Sequence, residues 1–241
     1  MRAETRHQMK TDRFRGATLD VAERTVHWSV EHKNKLTAAV AALVVVLLAV
    51  AGGWYYLDQQ DQKASVDLSR AVRTFDTPVR PANMPPQADA PSFASVKERA
   101  QAAQKQFEAV ISQYPRAHAA DIARYFVGLT SVDVGDNQAA ERSFKAVASS
   151  RNKDFAALAK LALGSVYRQT GRDKEAIDLY KQLIDKPTLS VGKTTAQMEL
   201  AATYEAENQP LEARRIYQQI QKENPSSQAG EMASAKLQGQ K

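Results

Sequence analysis

The sequence contains no cysteine, and this absence is the first limit on its chemistry. Without a thiol the chain cannot form a disulfide, a zinc–thiolate site or a cysteine nucleophile. Histidine is also scarce, with four residues in 241. His7, His27 and His32 precede a long apolar run, and His118 has no histidine or cysteine close to it in the sequence. No metal site and no cofactor are therefore predicted.

Catalytic motifs are lacking as well. Residues 191–195 read VGKTT and resemble the end of a phosphate-binding loop, but Pro187 stands where that loop needs a glycine. No strand precedes the segment, so we interpret it as a loop between helices. A serine nucleophile would need a strained turn and a histidine base, and neither is present. The sequence does not predict an enzyme.

Charge is absent from one long stretch near the start. Residues 36–57 read LTAAVAALVVVLLAVAGGWYYL, and as a helix they would extend about 33 Å, enough to cross a hydrocarbon core of about 30 Å. A buried core helix of this length would normally carry a charged face. A cleaved signal peptide would normally have fewer than the 35 residues that precede the run. The run is therefore predicted to be an uncleaved transmembrane helix.

The flanking charges predict the orientation of this helix. Residues 1–35 hold eight lysines and arginines, whereas Asp58 and Asp61 follow the run. The positive-inside rule places the N-terminus in the cytoplasm and residues 58–241 on the far side, which in a bacterium is the periplasm. We expect a single-pass protein of the inner (plasma) membrane. The charges beyond the run are nearly balanced, so no nucleic-acid partner is predicted.

Composition divides the chain into five segments. Residues 1–35 form a cytoplasmic head, either a small interfacial helix or a disordered tail, and residues 36–57 form the transmembrane helix. Residues 58–75 favour a juxtamembrane helix. Residues 76–92 contain five of the nine prolines and indicate a semi-extended linker that would hold the next domain off the membrane. Residues 93–241 are helical in pattern almost to the end.

The helical part repeats itself. Gly128, Gly164 and Ala201 occupy equivalent positions at spacings of 36 and 37 residues. Each is followed by a glycine or asparagine that can end a helix in a left-handed cap, by an alanine at a helix crossing and by a large aromatic residue. These sets are Gly135, Ala140 and Phe144; Gly171, Ala176 and Tyr180; and Asn208, Ala213 and Tyr217. A half-block before them supplies Ala103, Phe107, Val110 and Pro115.

This pattern resembles the tetratricopeptide repeat (TPR), whose usual period is 34 residues. A small first-helix residue lets the second helix pack closely, and the aromatic residue wedges against the next helical pair. The predicted fold class is all-α: the single transmembrane helix followed by a TPR-type α-solenoid of about three repeats. Residues 226–238 are predicted to form a helix that caps the open end.

A surface formed by the first helices is the candidate functional site. Stacked helical pairs curve into a groove, and apolar anchors with a few charges suit an extended peptide or a partner helix. The alternative for each residue is that it packs between helices. The repeat projects six side chains toward the groove: Tyr125, Leu129, Leu161, Arg168, Met198 and Glu205.

The layout as a whole resembles a known family. A short cytoplasmic head, a membrane helix that ends in Trp54-Tyr55-Tyr56 and a TPR domain are similar to the ancillary SecYEG translocon subunit family, the YfgM type. That resemblance implies association with the Sec channel and with periplasmic chaperones that handle emerging proteins. The proline-rich segment departs from the family, whose members run straight into helix. The alternative is a scaffold similar to the cell-division coordinator type, which self-associates into homo-oligomers and links envelope-building machines.

Overall fold

The computed structural model describes residues 33–85 and 91–239 and divides the chain into two units, residues 1–58 and 59–241. The predicted cytoplasmic head lies outside the described residues except for its last three. Within the described ranges there are nine α-helices and no strand. The helices are α1 (Lys33–Phe75), α2 (Val96–Gln113), α3 (His118–Val134), α4 (Asn137–Ala148), α5 (Lys153–Gln169), α6 (Asp173–Asp185), α7 (Lys193–Ala206), α8 (Pro210–Glu223) and α9 (Gln228–Gly239).

Helix α1 has the length and hydropathy needed to cross a membrane. An 18-residue window within Ala41–Phe75 has a mean hydropathy of 1.7, and none of that window is buried. Large apolar side chains face outward along it, including Leu48, which is 67% exposed, and Trp54, which is 75% exposed. Exposed apolar side chains on this scale are stable against lipid and costly in water. The N-terminal region thus contains one helix apolar enough to span a membrane, as predicted.

In the second unit, residues 59–75 form the first helix of a helical pair, and α2 is the second. Ala64 and Ala71 are fully buried in the same cluster as Phe107. The ring of Phe75 lies edge-on to Phe126 of α3, with 5.5 Å between ring centroids. This pair completes the half-block seen in the sequence. The described residues therefore contain one more repeat than the three that the glycine pattern indicated.

The proline-rich segment joins the two helices of this pair. The Arg80 N–H donates to the Phe93 carbonyl at 2.9 Å, and the Phe93 N–H donates to the Pro78 carbonyl at 3.1 Å. These bonds bring the two ends of the segment together and close it into a loop. Residues 86–90 of the segment lie outside the described ranges.

The three helix ends expected to adopt a left-handed cap do so. Gly135 has φ 93°, Gly171 has φ 70° and Asn208 has φ 59°, and no other residue in the described ranges has a positive φ. Glycine and asparagine tolerate this region because they carry little or no penalty from Cβ. The caps end α3, α5 and α7 and turn the chain into the second helix of each pair.

Two glycines allow the paired helices to approach closely. A Cβ atom placed on Gly128 would lie 2.5 Å from the Phe144 ring, and one placed on Gly164 would lie 2.6 Å from the Tyr180 ring. Both rings are fully buried. The predicted close approach at the small first-helix residue is therefore confirmed. The aromatic residue, which was expected to wedge against the next helical pair, also packs against the glycine of its own pair.

The hydrophobic core runs between the helical pairs in three clusters. The first surrounds Phe107, the second surrounds Phe144 and Tyr180, and the third surrounds Tyr217. Helix α9 covers the third cluster with its fully buried Ala233. The expected capping helix is thus present, and it shields apolar surface that the last pair would otherwise expose.

An ion-pair cluster fastens the second repeat to the third. Glu141 of α4 accepts bonds from both terminal nitrogens of Arg172, at 3.2 and 2.5 Å, and from Lys145 at 2.7 Å. The Arg172 guanidinium also lies 4.2 Å from the ring centroid of Tyr167. Hydrogen bonds from Arg172 and then Lys145 lower the pKa of Glu141 from 4.5 to about 2. The bidentate pair therefore stabilises the charged carboxylate in the folded state.

Replacing Glu141 by glutamine should lower the free energy of unfolding by about 1–2 kcal/mol at neutral pH, after allowance for solvent screening. Because folding lowers the pKa of this carboxyl group, its stabilisation is present above pH 4.5 and is lost as the pH falls toward about 2. Urea unfolding of both proteins across this range should show the difference disappear. Glu212→Gln is the control, since Glu212 forms an exposed pair within its own helix. A Glu141→Gln difference that stayed constant with pH would contradict the assignment.

Candidate partner-binding face

The six predicted groove residues lie on three successive first helices. Tyr125 and Leu129 are on α3, Leu161 and Arg168 are on α5, and Met198 and Glu205 are on α7. All six are half-buried, so each touches the core and also reaches the surface. Helix α3 contacts α5, and α7 contacts α9. We call the surface formed by α3, α5, α7 and α9 the first-helix face.

The α3–α5 part of this face is aromatic. The Tyr125 ring centroid lies 6.0 Å from that of Phe126, 5.7 Å from that of Phe144 and 6.4 Å from that of Phe155. His118 meets Phe155 edge-on at 6.1 Å. Burial raises the pKa of the Tyr125 phenol, so this ring is neutral at physiological pH. Half-buried aromatic groups supply rigid apolar contact area at a low cost in conformational entropy.

The α5–α9 part of this face is charged. Arg168 of α5 donates to Glu199 of α7 at 2.8 Å, and Lys236 of α9 donates to Glu205 of α7 at 2.8 Å. Each ion pair therefore joins one first helix to the next. Leu161 packs against the middle core cluster, and Met198 packs against the last one.

Two buried phenols lie beneath these charges. Burial raises the pKa of Tyr180 to about 12, with a smaller contribution from the charge of Glu199. Burial also raises the pKa of Tyr217, and the neighbouring carboxylate of Glu205 adds to the effect. Both phenols are therefore neutral throughout the physiological range and act as apolar packing groups.

A shallow open depression lies at the end of the face. Glu205, Met232, Ala235, Lys236 and Gly239 line it. Met232 is 51% exposed there, next to the Glu205–Lys236 ion pair. The depression is open to solvent along its length, which suits a chain segment better than an enclosed small molecule.

Sequence reasoning located the first-helix face but missed the partners of its charges. Glu199 and Lys236 each lie 31 residues beyond the residue that they pair with, which is close to one repeat. The opposite charges of residues about one repeat apart were the signal in the sequence that could have identified these pairs. Phe126 and Phe155 were also missed, although both flank predicted positions. Whether the six predicted residues bind a partner stays a prediction.

The described residues offer no constellation for metal chemistry. No group of three or more histidine, cysteine, aspartate or glutamate side chains is placed to hold an ion in residues 33–85 and 91–239. The carboxylates of the first-helix face are instead bound to cations, as Glu199 is to Arg168. Their arrangement serves to position helices and to present charge.

Comparison with protein families places this fold. The tetratricopeptide repeat-like domain family matches residues 27–239, which is most of the chain. No curated protein shows significant similarity to the sequence. The match agrees with the helical pairs, the left-handed caps and the glycine–aromatic contacts described above. The chain therefore belongs to the tetratricopeptide repeat-like domain family.

Proposed function

We propose that this chain is a membrane-anchored adaptor that binds segments of partner proteins along its first-helix face. Family membership implies protein partners in general, because stacked helical pairs present extended binding surfaces. We further propose that these partners are subunits of the Sec translocon and periplasmic chaperones. The observation that carries the adaptor role is the row of six half-buried side chains, which are apolar or aromatic on α3 and include one apolar and one charged residue on each of α5 and α7.

The aromatic part of the face supplies the anchor. Tyr125 and Phe155 are each packed on one side and open on the other, so an apolar partner side chain can rest on rings that are already ordered. Little side-chain entropy is lost when such rings bind, which concentrates binding energy in few residues. A partner helix or extended segment with one or two large apolar side chains fits this surface.

The charged part of the face determines the orientation in which a partner binds. The Arg168–Glu199 and Glu205–Lys236 pairs leave both signs of charge accessible, since all four side chains are partly exposed. A partner with complementary charges would bind in one orientation, because the reverse orientation opposes like charges.

The membrane anchor determines which partners are within reach. We propose that residues 36–57 cross the inner membrane with the N-terminus in the cytoplasm, on the basis of the eight basic residues that precede them. The repeats would then meet proteins as these leave the Sec channel. The resemblance in layout to ancillary translocon subunits supports this choice of partner.

Crosslinking in intact cells, followed by purification in mild detergent and mass spectrometry, tests the proposal. We expect the tagged protein to recover Sec channel subunits and periplasmic folding factors. Tyr125→Ala combined with Met198→Ala should reduce that recovery about tenfold, which corresponds to about 1.4 kcal/mol. Leu211→Ala is the matched control, because Leu211 is 73% exposed and lies on α8, a second helix.

Circular dichroism of each variant must show unchanged helix content. A reduced recovery of partners then results from the altered first-helix face and not from unfolding. A protease added outside the inner membrane should degrade the repeats, and an intact domain would contradict the orientation. Recovery of the chain alone, or of division and envelope-synthesis proteins, would contradict the translocon assignment and favour a self-associating scaffold.

A further inference from the structure

One edge of the second unit is formed by the starts of the first helices. The His118 N–H donates to Asp61 at 3.2 Å, which places residue 61 beside the start of α3. The His118 and Phe155 rings meet at 6.1 Å, which places the start of α5 next. The Ser190 N–H donates to Asp154 at 3.1 Å, which adds the loop before α7. We call this row the entry edge, because the chain enters the repeats here.

The entry edge carries a row of exposed basic side chains. They come from three consecutive loops between helical pairs: Arg116, Arg151, Lys153 and Lys186. None of these four forms an ion pair with another residue of the described ranges. Such long basic side chains extend freely toward any anionic surface that faces the edge.

Several carboxylates of this edge are held by hydrogen bonds or by an ion pair. Asp61 and Asp154 accept the backbone bonds described above, and the bond from Ser190 lowers the pKa of Asp154. Glu223 is paired with Lys193 at 2.9 Å. Asp185 is a further exposed carboxylate beside the row. These carboxylates stay ionised, so the edge has little net charge, but its long arginine and lysine side chains reach further from the edge than the amide-bound aspartates do.

The opposite edge is formed by the turns after α3, α5 and α7, and it carries the carboxylates Asp136, Asp173 and Glu207. Its arginine, Arg172, is bound to Glu141. Lys174 is exposed beside Asp173, so the opposite edge also carries both signs of charge.

An exposed leucine projects from the entry edge. Leu189 is 99% exposed and lies in the loop between Lys186 and Lys193. The bond from Ser190 to Asp154 and the bond from the Thr188 N–H to the Val191 carbonyl, at 3.0 Å, hold the loop on either side of it. A fixed loop that presents an apolar side chain among basic ones has the composition of a membrane-interface contact.

Covalent connection identifies the surface that this edge meets. Only residues 58–60 separate the apolar run from Asp61, and three residues extend at most about 11 Å. If residues 36–57 span the membrane, the chain leaves the bilayer at the entry edge. Anionic headgroups attract clusters of lysine and arginine within a Debye length of the surface.

We propose that the entry edge binds the anionic lipid surface of the membrane that anchors the chain, with Leu189 inserted at the headgroup level and Arg116, Arg151, Lys153 and Lys186 on lipid phosphates. This inference rests on the proposed membrane span and not on the identity of any protein partner. It gives the repeats a defined orientation at the bilayer. The first-helix face is formed by other side chains and stays available for partners.

Site-directed spin labelling of the full chain tests this proposal, and the absence of native cysteine makes each label unique. The reporter is Ser190→Cys, which leaves Leu189 in place. The chain is reconstituted in nanodiscs of phosphatidylcholine with about 30% phosphatidylglycerol, or of phosphatidylcholine alone. The accessibility of the label to oxygen relative to a water-soluble nickel complex is measured in both.

We expect the oxygen-to-nickel ratio at position 190 to rise at least about threefold in the anionic discs. The rise should be absent in neutral discs and abolished by Arg151→Glu with Lys186→Glu, or by Leu189→Gln. The matched control label is Leu211→Cys, on the first turn of α8 beside the opposite edge, which should not respond. Circular dichroism confirms that each variant keeps its helix content.

Three results would overturn the proposal: an unchanged ratio at position 190 in anionic discs, an equal rise in neutral discs, or a rise that survives the charge reversal. A label at Val46→Cys separates this from failure of the anchor. If that label is accessible to nickel, residues 36–57 do not span the bilayer. The proposed lipid contact would then be wrong as well, because it depends on that span.

Discussion

Replacement of Tyr180 by alanine is expected to lower the free energy of unfolding by about 3–5 kcal/mol. Tyr180 is fully buried, and it is among the largest buried side chains in the described ranges. Its ring fills the space beside Gly164 and belongs to the middle core cluster, so its removal leaves a cavity between α5 and α6. Thermal unfolding of the full chain in mild detergent, followed by far-ultraviolet circular dichroism, measures the loss.

Tyr180→Phe is the matched control for this prediction. The Tyr180 hydroxyl is buried and makes no hydrogen bond within the described ranges. Removing it should therefore change the free energy of unfolding by less than about 1 kcal/mol. If phenylalanine destabilised the protein as much as alanine does, the ring would not be the source of the stability, and the interpretation of this contact would be wrong.

Replacement of Gly164 by alanine is expected to cost about 1–3 kcal/mol, even though alanine favours helix more than glycine does. The added Cβ would lie 2.6 Å from the Tyr180 ring and 2.8 Å from its hydroxyl oxygen. The ring is buried and cannot move aside without displacing its neighbours. Urea unfolding in detergent should show a lower midpoint for this variant.

Two comparisons sharpen the glycine prediction. Gly192→Ala should cost less than about 1 kcal/mol, because a Cβ there meets nothing within 4 Å and the remaining penalty is that of alanine at the N-cap of α7. In the Tyr180→Ala background, Gly164→Ala should no longer destabilise, because the cavity accepts the methyl group. Additive effects in the double variant would show that the two residues do not share one contact.

Much of the repeat could be predicted because its key positions have strict local requirements. A left-handed cap requires glycine or asparagine, so Gly135, Gly171 and Asn208 were visible in the sequence. A close helix crossing requires a small residue, so Gly128 was visible as well, and in the structure it lies opposite Phe144. These signals depend on residues whose choice the backbone restricts.

Other features depend on how the repeats stack, and the sequence alone indicates these poorly. Residues 59–75 are the first helix of a pair, but a proline-rich loop separates them from α2 and breaks the period. Glu141 has a partner at helical spacing in Lys145, which the sequence shows, whereas its bidentate partner Arg172 lies in the next repeat. Glu141 and Arg172 come together because of the rotation between successive repeats. The preferences of individual residues do not determine that rotation.

The ion pairs between helical pairs have a mechanical consequence. The five that join different helices within the described ranges link residues 30 to 34 positions apart, from Arg99–Asp133 to Lys236–Glu205. Four of them connect one repeat to its neighbour, and Lys193–Glu223 joins the two helices of one repeat. None of the five connects repeats that are further apart. When tension acts along the chain from its N-terminal end, the repeats should unfold one after another, so the domain would extend in steps of one repeat.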